Sequence, residues 1–391
     1  MQIGLRLAPQ HRVYGMFGIY SFCLGNIYPR LPDIQHGMNV AEGALGLGLI
    51  GLPAGTLAAL TFAAPYLERL GYRRVLLTLI PLLTVLFVIA SLAPSPLIFF
   101  LLLVPVGLVI GCLEAIMNLE ADRTEYLIGR RIMSRAHGFW SFGFFAAGLF
   151  GGFVAQQGIP VPLHLLLIVP IAIIGVALIL GRYEPAPMRT GGSTDKAPLF
   201  AIPTLGIMVL VVVTLAAMLM EGAYADWSAI FMKKEFVSSP FMAALAVTAG
   251  AGAQAGTRMI ADGFVERFSP TVVARVLLSI TGLGVLMVFF ATSEAMAIAG
   301  FALLGVGTSA IFPLAMSAAA QRTDRPAVIN VAALAQTSFV TFLVAPPLLG
   351  FIAEHFGIRW SFGIGLPLVL ISLAAAGALG ARPVPREVPA E

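Results

Sequence analysis

The stretch from Ile202 to Ser228 reads IPTLGIMVLVVVTLAAMLMEGAYADWS. Its first part, 202–219, contains no charged side chain and approaches the roughly 20 apolar residues that a helix needs to cross a bilayer. The run then continues directly into two carboxylates, Glu221 and Asp226. Because a charge at membrane depth costs at least about 2.5–3.5 kcal/mol, such a carboxylate normally faces a cavity or a partner. The alternative for both is a position at the water boundary, which suits Asp226 better than Glu221.

The composition places the chain in a membrane. It has 391 residues, of which 59% are hydrophobic and 11% are charged, whereas soluble domains carry about 25% charged residues. The formal net charge of +4 is small and does not indicate a nucleic-acid partner. Cys23 and Cys112 lie inside apolar runs, which excludes a disulfide framework. The first apolar span is longer than the apolar core of a signal peptide, so we expect it to stay in the membrane.

Apolar segments of bilayer length divide the chain into two sets of six. The first set lies at about 13–32, 44–67, 75–93, 96–119, 136–156 and 162–181. The second lies at about 202–230, 240–261, 271–291, 295–319, 327–352 and 360–380. The intervening stretch is polar and rich in Pro and Gly, which is typical of a flexible linker. We predict an all-α integral membrane protein of twelve transmembrane helices in two pseudo-symmetric bundles, with an N-terminal bundle at 1–181, a cytoplasmic linker at 182–200, and a C-terminal bundle with a short cytoplasmic tail at 201–391.

The basic residues predict the orientation. Nineteen of the 23 Lys and Arg residues fall on the side that holds both predicted termini. The other side holds Arg30, Lys233, Lys234 and Arg359. Loops rich in Lys and Arg stay in the cytoplasm, so we expect both termini there.

An internal repeat occurs at a constant offset of 198 residues. The sequence ERLG at 68–71 aligns with ERFS at 266–269, and GFVA at 152–155 aligns with GFIA at 350–353. The same offset pairs Gly107 with Gly305. Because each set has an even number of helices, the halves share one topology. Parallel repeats of this kind occur in a class of secondary transporters that bind solute at the repeat interface, near the membrane midplane.

In these features the chain resembles the major facilitator superfamily over essentially its whole length. The family has a basic loop after the second helix, roughly Gly-x-x-x-Asp-Arg-x-Gly-x-Arg-Arg. Here the loop reads APYLERLGYRR at 64–74, with Ala64 and Glu68 departing from the pattern. EGAYADWS at 221–228 and HGFWS at 137–141 are similar to a bacterial branch related to the fucose permeases. The resemblance implies a monomeric transporter in the lipid bilayer of a bacterial cytoplasmic membrane, working by alternating access without a metal or cofactor.

Two carboxylates and one histidine are the candidate proton-coupling residues. Glu114 lies eight residues, about 12 Å, inside the fourth span as counted from Asp122, which makes an interfacial position difficult. Glu120 is close enough to the end to be solvated. His137, near the start of the fifth span, is the candidate partner of Glu114 and belongs to the residue type that titrates near neutral pH; its alternative is an interfacial position without a ligand. Glu221 is the second candidate carboxylate.

The repeat also predicts which residues face each other across a central cavity. It places Tyr224 opposite Asn26 and Asp226 opposite Tyr28. Aromatic faces and amides there suit sugars or planar organic solutes. Aromatic belts at the membrane surface and interhelical hydrogen bonds of about 0.6–2 kcal/mol are the alternative roles. The predicted substrate-binding residues are Asn26, Tyr28, Asn118, Trp140, Tyr224, Gln254, Asn330 and Gln336.

Residues near the helix ends have two further predicted roles. Arg30, Asp226 and Trp227 are expected at the outer mouth. Arg258 and Asp262 are four residues apart and share one helix face, where a pair could lock and release the other half. The predicted cytoplasmic latch comprises Glu68, Arg69, Arg73, Arg258, Asp262 and Arg267. The alternative is that the basic residues only fix the topology.

The sequence contains no His-Glu-x-x-His, Gly-x-Ser-x-Gly or phosphate-binding loop, so we predict a transporter rather than an enzyme. The predicted function is proton-coupled symport of a small polar organic solute, with a sugar as one candidate. Drug antiporters of the superfamily carry Gly-Pro-x-x-Gly-Gly on the fifth helix. AGLFGG at 147–152 lacks that proline, which favours uptake over the alternative, export of a drug or metabolite. A membrane sensor or scaffold would need a larger soluble segment than the linker.

Overall fold

The computed structural model describes residues 5–63, 67, 70–181, 186 and 200–380. These residues form sixteen α-helices and two short 3-10 helices, and no strand occurs among them. The N-terminal half contains α1 (Pro9–Gly25), α2 (Leu31–Met38), α3 (Glu42–Leu49), α4 (Gly51–Phe62), α5 (Tyr72–Ala90), α6 (Pro96–Ile128), α7 (Met133–Gln156) and α8 (Val161–Leu180). The C-terminal half contains α9 (Leu205–Phe236), α10 (Pro240–Phe268), α11 (Pro270–Phe289), α12 (Glu294–Thr308), α13 (Ile311–Ala320), α14 (Ala327–Phe356), α15 (Ile358–Gly363) and α16 (Gly365–Ala375).

The predicted all-α membrane architecture is confirmed. Several predicted spans consist of two consecutive helices, such as α3 with α4 and α12 with α13. Ten helical segments among the described residues are long and apolar enough to cross a membrane. The first and eighth predicted spans are not among these ten. In the first, α1 has only 17 residues before the chain bends into the 3-10 helix Tyr28–Arg30, and in the eighth, α10 is rich in Gly, Ala and polar residues.

The helices begin where short polar side chains can cap them. Ser95, Ser239 and Ser293 each accept a hydrogen bond from the backbone N–H three residues later, at the starts of α6, α10 and α12. Such a cap satisfies a backbone donor that has no partner inside the helix. The long helix α6 ends at Gly129, whose φ of 67° lies in the left-handed region that glycine adopts readily. The serine caps and the glycine terminus therefore give these helices defined ends.

The repeat predicted from the sequence is visible in equivalent glycine contacts. Gly107 on α6 lies so close to α4 that a Cβ atom would meet the Leu52 carbonyl oxygen. Gly305 on α12 lies in the same way against the Gly250 carbonyl oxygen on α10. Only glycine permits such close approach of two helix backbones. The 198-residue offset therefore relates two tight helix crossings, one in each half.

A second equivalent pair lies between the halves. Gly152 on α7 packs against Ala244 on α10, and Gly350 on α14 packs against the Glu42 backbone on α3. These glycines are also 198 residues apart. The two halves therefore meet along two symmetry-related seams, α7 with α10 and α3 with α14.

One end of the bundle is held shut by hydrogen bonds between the halves, and we call it the closed end. The donors and acceptors are Lys234 Nζ to Glu42 Oε1 at 2.7 Å, Gly43 N to Glu354 Oε2 at 2.9 Å, and Phe241 N to Gln156 Oε1 at 3.2 Å. The Glu42 side chain is only 9% exposed. The closed end is thus sealed by polar contacts as well as by glycine packing.

The halves diverge toward the opposite end, which carries Gly181 and Phe200 at the two edges of the linker and which we call the linker end. At the closed end, α3 packs closely against α14, whereas its continuation α4 makes far fewer contacts with that helix. Phe62, at the last residue of α4, is exposed. The space between the halves therefore widens from the closed end to the linker end.

Candidate functional site

A cavity of about 520 Å³ lies between the two halves. Helices α1, α4, α6 and α7 wall it on one side, and α9, α10, α13 and α14 wall it on the other. Most of its surface is apolar and aromatic. The carboxylate, histidine, arginine and amide side chains in its wall are Glu114, Asn118, His137, Glu221, Asp226, Gln254 and Arg258.

The structure brings most of the predicted site residues into this cavity. All three candidate proton-coupling residues, Glu114, His137 and Glu221, line it. Five of the predicted substrate-binding residues also line it, namely Tyr28, Asn118, Trp140, Tyr224 and Gln254. Two residues predicted elsewhere join them: Asp226 from the outer mouth and Arg258 from the latch.

Glu114 and His137 are connected through Asn118 rather than directly. The Asn118 amide nitrogen donates to the Glu114 backbone oxygen at 2.9 Å, which turns Asn118 Oδ1 toward α7. His137 Nε2 lies 3.1 Å from that oxygen. Because Oδ1 can only accept, the proton of a neutral His137 belongs on Nε2. The Glu114 carboxylate lies beside the Tyr20 hydroxyl and the Asn118 side chain, and no cation of the described chain contacts it.

Arg258 forms a bridge across the cavity. Its Nη2 lies 3.6 Å from Glu221 Oε1 on α9, and its Nε donates to the Ser309 carbonyl oxygen at 3.0 Å. Its Nη1 is 3.4 Å from Ser141 Oγ on α7, in the other half. In this conformation Arg258 therefore lies in the cavity wall, and its role in the latch stays a prediction. Arg258 lies ten residues before the end of α10, about 15 Å inside the bundle, so the shared face with Asp262 did not decide its depth.

Asp226 lines the cavity toward the closed end, not an outer mouth. Its charge acts on Tyr28, but within the described residues its carboxylate has neither a hydrogen bond nor an ion pair. The Tyr28 ring lies 5.1 Å from the Phe144 ring, which stacks at 5.5 Å on Trp140. An aromatic wall therefore runs along the N-terminal side of the cavity up to an unpaired carboxylate.

Two nitrogen donors of wall residues also lack a protein acceptor. They are Trp140 Nε1 and Gln254 Nε2, both without a partner among the described residues. The Gln254 residue is only 2% exposed. Both nitrogen atoms are inaccessible to water, so a solute in the cavity does not reach them in this conformation, although buried donors normally have acceptors.

Three amides predicted to bind substrate have structural partners instead. Asn26 donates to the Phe22 carbonyl oxygen at 2.7 Å, and its Oδ1 lies 3.0 Å from His164 Nε2. Asn330 donates to Asp324 Oδ1 at 2.9 Å. Gln336 accepts from the Ala201 backbone at 2.9 Å, where the chain leaves the linker. None of the three lines the cavity. The sequence did not predict this, because an apolar sequence around an amide does not reveal which neighbour the amide faces.

The Asn330 contact belongs to a polar cluster at the linker end. Asp324 also accepts from the Thr204 hydroxyl at 3.1 Å and lies 3.4 Å from the Arg322 guanidinium. Burial alone would raise the pKa of Asp324, but the hydrogen bonds from Asn330 and Thr204 and the charge of Arg322 lower it below its ordinary value. The cluster ties the start of α9 to the α13–α14 loop, so it stabilises the C-terminal half.

The other predicted outer-mouth residues are buried. Arg30 is 4% exposed. It donates to Asp33 Oδ2 at 2.7 Å and to the Ile159 carbonyl oxygen at 2.8 Å. Trp227 is fully buried and packs against Gly350 at the seam of α3 and α14. Both residues therefore hold helices together at the closed end and do not line a mouth.

The remaining latch residues form no described contact between the halves. Arg73 Nε donates to the Leu180 carbonyl oxygen at 3.0 Å, within the N-terminal half. The Arg267 guanidinium lies over the ring of its neighbour Phe268, 5.2 Å from the centroid. Glu68, Arg69 and the Asp262 side chain lie outside the described residues, as do most of the linker and the tail after 380. The predicted latch stays a prediction for the conformation in which the linker end closes.

Three polar residues escaped the sequence-based prediction. Tyr20 adjoins Glu114 from α1, and Ser141 contacts Arg258 from α7. Ser141 lies one helical turn after His137, and this spacing could have identified it. Glu120, predicted to be solvated, is 1% exposed and accepts from the Ala186 backbone at 3.1 Å, because the chain entering the linker covers it.

Comparison with known proteins agrees with this architecture. A family model described as Major Facilitator Superfamily matches residues 209–391. An uncharacterized transporter of Sinorhizobium fredii is 28% identical over 374 residues, which cover 94% of this chain and 98% of that protein. The family match in the C-terminal half and the similarity to transporters along nearly the whole chain support a transporter of the major facilitator superfamily. The chain is accordingly a multi-pass membrane transporter and not an enzyme.

Solved structures show the same fold at low sequence identity. The nucleoside transporter NupG matches this protein with a TM-score of 0.71 and 10% identity, over 96% of this chain and 98% of that chain. A variant of the E. coli fucose:proton symporter FucP matches with a TM-score of 0.63 and 16% identity, over 94% and 98%. At these identities the likeness establishes the fold of the transporter and does not define its solute.

Proposed function

We propose that this transporter moves a small polar organic solute together with protons, by alternating access through the central cavity. The observation that carries the proposal is the state of Glu114. It is a cavity carboxylate at membrane depth, next to Tyr20 and Asn118, with no cation beside it in the described part of the chain. Such residues mark proton and substrate pathways in transporters.

The energetic argument concerns the transit of the loaded carrier. A carboxylate that stays ionised while both ends of the cavity close would be enclosed in a low-dielectric space at a cost of several kcal/mol. A bound proton removes that charge while the solute occupies the cavity. Glu114 then releases the proton on the side where the solute leaves, so the proton moves with the solute and does not return with the empty carrier.

The ion pair between Glu221 and Arg258 separates the roles of the cavity carboxylates. Glu221 was the second candidate for proton coupling, but Arg258 lies 3.6 Å away and neutralises its charge. Glu114 has no such neighbour. We therefore assign proton coupling to Glu114, through the Asn118–His137 connection, and a bridging role to Glu221 with Arg258.

The direction of opening follows from the distribution of basic residues. If the linker end is cytoplasmic, as the positive-inside pattern indicates, the described conformation opens inward and its closed end faces outside. The membrane would be the bacterial cytoplasmic membrane. The proposed working unit is a monomer, as the resemblance to the superfamily implies.

The experiment measures proton binding that accompanies solute binding. Purified protein in weakly buffered detergent solution is given a panel of sugars, organic acids and amines while the pH is recorded. We expect proton uptake, seen as alkalinisation, with at least one solute. The signal should be lost in Glu114→Gln, because the amide cannot take up the proton.

The matched control is Glu266→Gln, which removes an exposed carboxylate at the end of α10 outside the cavity. It should keep the wild-type signal. A wild type that gives no pH change with any solute, or one whose signal Glu114→Gln reproduces, would contradict proton coupling at this site.

A further inference from the structure

We propose that the solute is an organic ammonium ion and that Asp226 binds its charged nitrogen. This inference rests on the proposed transport function and specifies its substrate class. It starts from one unsatisfied feature of the cavity wall, a carboxylate without a hydrogen bond or ion pair among the described residues.

The charge balance of the cavity favours a cation. The wall contains three carboxylates but only one guanidinium, and that guanidinium pairs with Glu221. Glu114 takes up the coupling proton in the proposed mechanism. Asp226 is left without a counter-charge from the described residues, at a depth where unpaired charges are costly. A solute with a positive charge would supply it.

The surroundings of Asp226 fit an ammonium group better than a metal ion. The Asp226 charge acts on Tyr28, whose ring belongs to a continuous series of ring contacts with Phe144 and Trp140. Ring faces attract organic cations by about 0.5–2 kcal/mol. No group of three or more His, Cys, Asp or Glu that could hold a metal ion occurs in the described chain.

The experiment compares solutes that differ only in the charged nitrogen. The pairs are glucosamine with glucose, and tyramine with tyrosol, its alcohol counterpart; N-acetylglucosamine keeps the nitrogen but removes its charge. Dissociation constants are measured by isothermal titration calorimetry at pH 6.5 for the wild type, Asp226→Asn and the control Glu266→Gln.

We expect the ammonium member of at least one pair to bind about 10- to 100-fold more tightly to the wild type, the range of a hydrogen bond to a charged group. Asp226→Asn should abolish that preference, and Glu266→Gln should keep it. The inference is overturned if neither pair favours the ammonium member, or if the preference persists in Asp226→Asn. Size-exclusion chromatography and thermal unfolding establish that the variants are folded.

The two proposals can fail separately. Loss of the ammonium preference in Asp226→Asn, with an intact proton signal that depends on Glu114, supports both. An ammonium preference without any proton uptake would reject proton coupling and keep the substrate class. Proton uptake with neutral sugars alone would reject the substrate class and keep proton coupling.

Discussion

The closed end and the central cavity lie between the same two halves, yet they differ in whether their carboxylates have partners on the other half. At the closed end, Glu42 and Glu354 each have a partner on the other half, at 2.7 and 2.9 Å. In the cavity, Glu114 and Asp226 have no cation or hydrogen-bonded counterpart across the gap in the described chain. The closed end is satisfied by the protein itself, whereas in our proposal a proton and a solute complete the cavity.

This difference has a thermodynamic consequence. Removing one member of a satisfied pair leaves the other member desolvated, which destabilises the folded conformation. Removing an unpaired charge from a low-dielectric site relieves a cost that the fold already carries. The sign of a mutation's effect on stability therefore distinguishes groups that stabilise the fold from groups that have no partner until a ligand binds.

The largest effect is expected from added volume at the closed end. A Cβ atom on Gly46 would meet the Pro346 carbonyl oxygen, a backbone atom that cannot move aside alone. Overpacking of this kind costs about 1–3 kcal/mol, so Gly46→Val should shift the population away from the closed-end contact by roughly 10- to 100-fold.

Electron–electron resonance distances would measure this shift. Spin labels at the exposed residues Gln157 and His355 report the separation of the halves at the closed end, after Cys23 and Cys112 are replaced by Ser. The control is Gly37→Val, since a Cβ there has open space. An unchanged distance distribution in Gly46→Val would show that the contact does not limit opening.

An intermediate effect is expected inside the cavity. Arg258→Met removes the partner of Glu221 and the hydrogen bonds to Ser309 and Ser141, and it should lower stability by about 0.5–1.5 kcal/mol. Asp226→Asn should instead raise the unfolding temperature, because no protein partner is lost. Thermal unfolding followed by tryptophan fluorescence measures both.

A double mutant tests the cause of the Arg258 effect. If an unpaired Glu221 contributes to the loss, Arg258→Met with Glu221→Gln should be more stable than Arg258→Met alone. Equal unfolding temperatures for the single and double mutants would assign the loss to Ser309 and Ser141. A lower unfolding temperature for Asp226→Asn would place Asp226 among the structural groups.

The sequence predicted well those properties of this transporter that depend only on the order of residues along the chain. Span lengths and the 198-residue repeat depend on apolar length and spacing, which are written directly in the chain. The pairing of Gly107 with Gly305 therefore reappears as two equivalent helix crossings. Glu114, Glu221 and His137 were also placed in the cavity, because charge at membrane depth has few other positions.

The errors concern the direction and the partners of side chains. In a membrane helix both the lipid-facing and the buried sides are apolar, so no apolar stripe shows which way an amide points. Asn26 and Asn330 consequently looked like cavity residues, although His164 and Asp324 bind them. Asp226 was placed at a mouth because the seventh span was expected to end at about residue 230. The helix α9 instead continues to Phe236, so Asp226 lies deeper than the sequence predicted.

The smallest effect is expected at the ion pair of the closed end. Glu42→Gln keeps the shape of the side chain and removes its charge opposite Lys234, which is 46% exposed. A pair with one solvent-exposed member contributes about 0.2–1 kcal/mol, so the label distance between Gln157 and His355 should show an increase in the open population of at most about fivefold. High salt should shrink the difference between wild type and Glu42→Gln, because screening weakens the wild-type pair. A salt-independent shift would mean that the hydrogen bond to Gln35 at 3.3 Å, rather than the charge of Lys234, gives Glu42 its role. In that case the closed end would be sealed by shape and neutral hydrogen bonds, and the contrast with the charged cavity would become sharper.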